Sequence, residues 1–258
     1  MKNFYETYFG LQNKRAVVTG AGRGIGRAVA EAFAAVGAEV LVHYHSSEKS
    51  AQEVVETIQA NGGNAWAAKA DLTNSAQVKA LFQQVEERWG ALDILVNNAG
   101  DLLQRSTIEN FSDELLDRVV KLNIYTAIYA SREAIPLLKK GKRASIVSVG
   151  SIAGHNGGLN GATVYAATKG AIHTFTRGLA KELAPQIRVN AIAPGVIMTD
   201  FHRRHSTEQS LEVIAGNTPL KRLGQAEDMA AAVVFLCSEG AAFMTGEILE
   251  LNGGLWFA

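Results

Sequence analysis

The sequence predicts an α/β fold: a doubly wound parallel sheet of seven strands with helices on both faces, in a single domain spanning 1–258. Short β-branched runs alternate with longer stretches of helical apolar spacing, which is the signature of βαβ units. Gly-rich or polar turns separate them, and no linker or internal repeat divides the chain. Its 258 residues, 47% of them hydrophobic, suit one large core.

The elements follow in order. A strand at 16–19 runs directly into a glycine-rich turn and a helix near 24–36, which Gly37 is placed to stop. A strand at 39–44 precedes a helix near 47–60, and a third at 65–68 precedes a helix near 74–88. That helix opens on Asn74 and Gln77, which resemble a capping box, and Gly90 is placed to end it. After a strand at 94–96, Ser112 with the acids Asp113 and Glu114 marks the start of one helix over 112–134. A strand at 145–149 leads to a helix over 164–183 with an apolar stripe of Ile172, Phe175, Leu179 and Leu183. Strands at 188–192 and 247–251 flank a long segment, 196–222, and a helix near 226–237. Right-handed crossovers put the helices on both faces, and ligands in such sheets lie at the carboxyl ends of the strands.

The turns after the strands are therefore where chemistry is sought. The first reads Thr19-Gly20-Ala21-Gly22-Arg23-Gly24-Ile25-Gly26 between a strand and a helix. Residues without Cβ let the backbone approach a pyrophosphate, which free amides at the helix N-terminus would meet. Beyond the next strand, where an acid would hold a ribose 2′-hydroxyl and select NAD, stand Tyr44, His45 and Ser46, with Arg23 offering a cation in the turn. This favours NADP, with NAD as the alternative; the plainer reading is a solvated Arg23 and serines that begin a helix. Tyr165 and Lys169 share one helix face, where an ammonium would favour the phenolate and make the tyrosine an acid/base near neutral pH. Ser151 lies in the turn after the fifth strand and can reach the same crevice.

Together with Asp71, the run Asn97-Asn98-Ala99-Gly100, Asn123 and Pro194-Gly195, these residues identify a resemblance to the short-chain dehydrogenase/reductase superfamily, in its single-domain branch with a Rossmann-like fold. The resemblance covers nearly the whole chain. It implies that Tyr165 is the general acid in reduction and base in oxidation. Lys169 would bind the nicotinamide ribose and lower the tyrosine pKa, Ser151 would hold the substrate oxygen, and Asn123 would anchor a proton-relaying water. Gly20, Gly24 and Gly26, with Arg23 and Ile25, would form the phosphate site, and Tyr44, His45, Ser46, Asp71 and Leu72 the adenosine site. Asn98, Ala99 and Gly100 would line the ribose region, and Pro194, Gly195, Ile197 and Thr199 the nicotinamide end. Family resemblance also implies a homotetramer, with the long helices and the tail Leu255-Trp256-Phe257 at subunit contacts.

Other classes find little support. The 25 Lys+Arg balance 25 Asp+Glu, so neither nucleic acid nor an anionic membrane is an expected partner. One cysteine, Cys237, allows no internal disulfide, and His43, His45, His155, His173, His202 and His205 are too scattered to suggest a metal site. Met1 to Gln12 lacks the apolar run of a signal peptide, so a cytoplasmic protein is expected. Substrate choice is expected from loops 101–106, 152–162 and 196–222. His202-Arg203-Arg204-His205 forms a basic knot that, with Arg105, would attract an anionic substrate if turned inward, while His155, Asn156 and Asn160 make the middle loop polar. The expected reaction interconverts a secondary alcohol and a ketone on a polar small molecule such as a sugar, a sugar acid or an oxoacid. The alternatives are a 3-oxoacyl-carrier-protein reductase, which the C-terminal run 244–254 resembles, and a non-catalytic nucleotide-binding regulator. Three departures weigh against the acyl-carrier reading: a longer Ser151 to Tyr165 spacing, the aromatic residues Phe4, Tyr5, Tyr8 and Phe9, and the loop Asp101 to Ser106.

Overall fold

A computed structural model describes residues 3–257. Seven strands, β1 (Arg15–Val18), β2 (Glu39–Tyr44), β3 (Asn64–Lys69), β4 (Ile94–Asn97), β5 (Ala144–Val149), β6 (Ile187–Pro194) and β7 (Ile248–Leu251), form one parallel sheet. The order is β3-β2-β1-β4-β5-β6-β7, so the winding reverses between β1 and β4, and their carboxyl ends open a crevice.

Alternation along β1 explains the two cores. Ala16 and Val18 point to one face with Phe33 of α2 (Gly24–Ala35), Val54 of α3 (Glu48–Ala60) and Val233 of α11 (Ala226–Cys237). Val17 points to the other, with Leu81 of α4 (Ser75–Trp89), Ala134 of α6 (Thr126–Leu138) and Leu179 of α8 (Thr163–Leu183). Strands covered on both faces are buried at successive positions, as β4 and β5 are. Burying a side chain such as Phe33 contributes about 1.5–3 kcal/mol.

Element ends follow the expected signals with corrections. Gly37 and Gly90 take left-handed φ of 96° and 69° and stop α2 and α4. Asn74 accepts from the amides of Ala76 and Gln77, but the Gln77 side chain accepts from the Asp71 amide, so the box expected there is only half formed. The single helix expected over 112–134 is α5 (Asp113–Val120), capped by Ser112, a π-helical turn at Lys121–Tyr125, and then α6, which continues to Leu138. Four short helices were not expected: α1 (Phe4–Tyr8) in the aromatic N-terminal segment, α7 (Ala153–Asn156), and α9 (Asp200–His205) and α10 (Glu208–Asn217) within 196–222. Among the described residues, no helix is long and apolar enough to cross a membrane.

Candidate active site

The phosphate turn is held from below by side chains. Thr19 Oγ1 donates to the Val96 carbonyl and accepts from the amides of Asn98 (2.9 Å) and Ala99 (3.0 Å), which ties β1 to β4. The Asn98 amide group donates to the carbonyls of Thr19 (2.8 Å) and Gly20 (3.1 Å). Gly26 packs beneath this knot: a Cβ there would stand 2.5 Å from Asn98 Nδ2 and from the Gly20 oxygen. Gly26 is buried, and its bare Cα admits Asn98. Gly20 and Gly24, at φ of 62° and 55°, do line the cleft. The first backbone bond closing α2 runs from the Arg27 amide to the Arg23 carbonyl, leaving the amides of Gly24, Ile25 and Gly26 for an anion.

His43, whose role no sequence motif suggested, buttresses the same turn. Its Nδ1 accepts from the Gly20 amide (3.1 Å), and its Nε2 faces the Ala70 carbonyl (3.0 Å), which fixes a neutral tautomer. Burial pushes its pKa down to about 4, against the pull of the Ala70 carbonyl, so the support stays uncharged at neutral pH. The one available hint was a histidine inside an otherwise apolar strand.

The adenosine side is more open. Tyr44 is half-buried at the end of β2, and His45 and Ser46 are exposed. Glu48, missed in the sequence, approaches the Tyr44 phenol, whose pKa is raised by desolvation and then by that carboxylate. Asp71 Oδ1 accepts from the Thr73 amide (2.9 Å) and hydroxyl (2.7 Å), and Leu72 beside it is buried. Arg23 is exposed on the rim of the cleft.

The side chains expected to carry the chemistry converge from three elements. Tyr165 and Lys169 stand one turn apart near the start of α8, Ser151 follows β5, and Asn123 sits in the π turn. The Lys169 ammonium donates to the Val149 carbonyl (2.7 Å) and lies 5.6 Å from the centre of the Tyr165 ring. Burial pushes Lys169 down to about 8, partly opposed by the Asp101 carboxylate. The tyrosine differs from expectation. Burial raises the Tyr165 pKa, a hydrogen bond with Ser151 lowers it, and the Asp101 charge raises it further. The Lys169 ammonium is turned to Val149 and is itself desolvated.

Asn123 Nδ2 donates to the carbonyls of Asp101 (2.8 Å) and Val119 (2.9 Å), while its Oδ1 is buried without a partner. A Cβ on Gly100 would meet that oxygen at 2.7 Å and Lys169 Nζ at 3.4 Å, so the orphaned acceptor faces the space between Gly100 and Lys169. A π turn adds one residue to the helix, and such turns recur at functional sites.

The other end of the cleft is shaped by backbone. Gly195 takes its place because a Cβ would stand 2.9 Å from Asn252 Cα, and the Pro194 carbonyl accepts from the Ile152 amide (2.9 Å). Ile197 is buried, and Thr199 opens α9. Together these residues line a cleft of about 720 Å³ that includes Ser151, Tyr165 and Lys169. Tyr44, His45, Ser46, Asp71, Leu72, Gly26 and Asn123 lie outside its lining.

Residues of 101–106, 152–162 and 196–222 line one side of the cleft, and their cations are engaged. Arg105 donates to the carbonyls of His205 (2.9 Å), Leu159 (2.8 Å) and Asn160 (3.1 Å), which joins all three loops. Arg204 and His205 both bond Asp101, at 2.8 and 3.0 Å, and Arg203 turns to Asp200. His155 lies beneath the crevice, 2.8 Å from Glu250 and packed on the His173 ring. No group of three or more metal-ligating side chains occurs among the described residues.

Residues 20–256 match the family model described as enoyl-(acyl carrier protein) reductase. An uncharacterized oxidoreductase of Escherichia coli K12, YgfF, is 40% identical over 243 residues, covering 93% of this chain and 98% of that protein. The 3-oxoacyl-[acyl-carrier-protein] reductase FabG of Pseudomonas aeruginosa is 38% identical over 249 residues, covering 96% and 99%. A 7α-hydroxysteroid dehydrogenase, solved with NADH and 7-oxoglycochenodeoxycholic acid, superposes with a TM-score of 0.92 at 36% identity, covering 98% of both chains. Other similar structures carry NADP.

Proposed function

The chain belongs to the short-chain dehydrogenase/reductase family, and from that premise we propose that it is an NADP-preferring oxidoreductase interconverting a secondary alcohol and a ketone on a polar small molecule. The observation that carries this reading is the meeting of Ser151, Tyr165 and Lys169 at one wall of the cleft, behind a turn with free helix amides.

The residues present fit a nicotinamide dinucleotide. Gly24 and Ile25 offer amides for the pyrophosphate, and Lys169 can exchange the Val149 carbonyl for ribose hydroxyls. When bound, that group supplies the hydride acceptor or donor. The protein's part is to orient and to move one proton. Ser151 holds the substrate oxygen, and the Tyr165 hydroxyl gives its proton to that oxygen in reduction and takes it back in oxidation. The Lys169 ammonium, one turn from Tyr165 and 5.6 Å from its ring centre, would favour the phenolate. The unpartnered Asn123 Oδ1 would hold a water behind Lys169.

Exposed Arg23 supports NADP, since a 2′-phosphate needs a cation and Tyr44, His45 and Ser46 add no carboxylate of their own. We read 1–258 as one domain with 196–222 as its substrate segment, in a cytoplasmic homotetramer; exposed Leu116, Tyr125 and Ile128 on α5, the π turn and α6 support a covered face there. The 38% identity to a 3-oxoacyl reductase favours a second reading, with the same chemistry on an acyl thioester.

Two variants test the proposal. Tyr165→Phe is expected to abolish consumption of reduced nicotinamide with a ketone panel while leaving NADP affinity within about threefold, because the phenol acts on the substrate oxygen. Retained turnover would remove Tyr165 from the role. Arg23→Ala is expected to weaken NADP by about tenfold and NAD little, as measured by fluorescence titration; equal losses would refute the preference. Turnover of an acetoacetyl thioester far above every free ketone would decide for the second reading.

A further inference from the structure

We propose that Asp101 sets substrate charge selectivity: by pairing with Arg204 and His205 across the crevice, it offsets the Arg204 guanidinium and favours an electrically neutral, hydroxylated or carbonyl-bearing substrate. This rests on the reading above and narrows it, because the sequence left an anionic substrate open.

The geometry is specific. Asp101 follows the turn after β4, and its side chain is 12% exposed. Oδ2 accepts from Arg204 NH2 at 2.8 Å, and Oδ1 accepts from His205 Nε2 at 3.0 Å and from the Leu103 amide at 3.2 Å. Burial would raise this carboxyl, yet those three donors hold it below the usual carboxylate range, so it is ionised. The other members of the basic knot are also engaged. Arg105 is engaged by three carbonyls, and Arg203 faces Asp200. His202 is kept neutral, its pKa pushed down to about 4 by burial and by the neighbouring Arg105 and His205. Arg105, Arg204, Asp101 and Asp200 all line the cleft, and the guanidinium paired with Asp101 is Arg204.

A substrate carboxylate entering here would have to displace Asp101 from Arg204 and leave a desolvated anion behind, whereas a neutral hydroxyl or ketone meets no such cost. Apolar Leu102, Ile152 and Phe201 line the same space and suit a neutral carbon skeleton.

The test compares malonate binding by calorimetry, with and without NADP, in the wild-type protein, in Asp101→Asn and in Asp101→Asn combined with Arg204→Gln. Asp101→Asn is expected to bind malonate about tenfold more tightly than wild type, and the double variant to lose the gain, because Arg204 is the cation released. Equal affinity in wild type and Asp101→Asn, or a gain that survives Arg204→Gln, overturns the proposal. Should Asp101→Asn fail to fold, Arg204→Gln alone decides: the crevice then carries unbalanced carboxylates, and malonate binding must fall below wild type. In turnover, the preference for methyl acetoacetate over acetoacetate should shrink about tenfold in Asp101→Asn and persist in Asp101→Glu. Binding needs no catalysis, so a wild-type protein silent on every ketone would sink the proposed function while this selectivity is still read from malonate.

Discussion

Lys169 is charged in a place that disfavours charge. The residue is 5% exposed, its amine donates to the Val149 carbonyl, and its pKa falls to about 8. An unfolded lysine titrates near 10.4, so between about pH 8 and 10.4 the unfolded chain binds more protons and stability rises with pH. The cost of the buried ammonium is fully present below about pH 8 and is relieved above it. Lys169→Met is therefore expected to be more stable than wild type at pH 7, by about 1–3 kcal/mol in urea unfolding, with the difference closing by about pH 10. Its turnover should be lost, which is the trade between stability and a strained functional group. A less stable Lys169→Met at pH 7 would mean that the Val149 bond outweighs desolvation. At the neighbouring phenol, the sequence pointed to a tyrosine made acidic by its lysine, whereas the folded chain raises it. Spacing along a helix reports which side chains share a face, but not which way an ammonium turns or how dry the site is.

At the scale of elements, the strands and the β-to-α turns were legible because apolar runs and glycines mark them without help from distant residues. The π turn at Lys121–Tyr125 was not, since one extra residue in a helix leaves the apolar spacing almost unchanged. Helices α9 and α10 were hidden for another reason: neither has a buried residue, so no apolar stripe announces them. The π turn brings Asn123 Nδ2 to the Asp101 and Val119 carbonyls and leaves its Oδ1 facing inward. Asn123→Ala is expected to lower kcat about 10²-fold with NADP affinity nearly unchanged, as read by steady-state kinetics and titration. An equal loss in nucleotide affinity would show that the residue only shapes the nucleotide site. The half-formed box at Asn74 teaches the same lesson on a smaller scale, because Gln77 was free to choose the Asp71 amide over its own helix.

Across the whole molecule, chemistry sits at the carboxyl ends of the strands and a fastening at the amino ends. There Asp93 accepts from Arg15 Nε (2.8 Å), the Arg15 amide (3.0 Å) and the Lys142 amide (2.8 Å), joining β1, β4 and the approach to β5. Burial would raise this carboxyl, but Arg15 and the two amides hold it below its ordinary value. A lowered carboxyl contributes stability that is present above its unfolded pKa of about 3.9 and is lost as pH falls through the folded value. Asp93→Ala is expected to cost about 3 kcal/mol at pH 7 and less at about pH 3, followed by thermal unfolding, with kcat/KM unchanged while the protein is folded. A pH-independent loss would deny the carboxylate its ionic part.

The tie between Thr19 and Asn98 spans 79 residues and crosses the reversal of the sheet. With every strand pairing parallel, no hairpin can form early, and β1 finds β4 only after three crossovers have been laid down. A chain still emerging from the ribosome would carry its phosphate-binding glycines long before anything shaped them, so nucleotide can stabilise late intermediates of folding but has nothing to grip in the early ones.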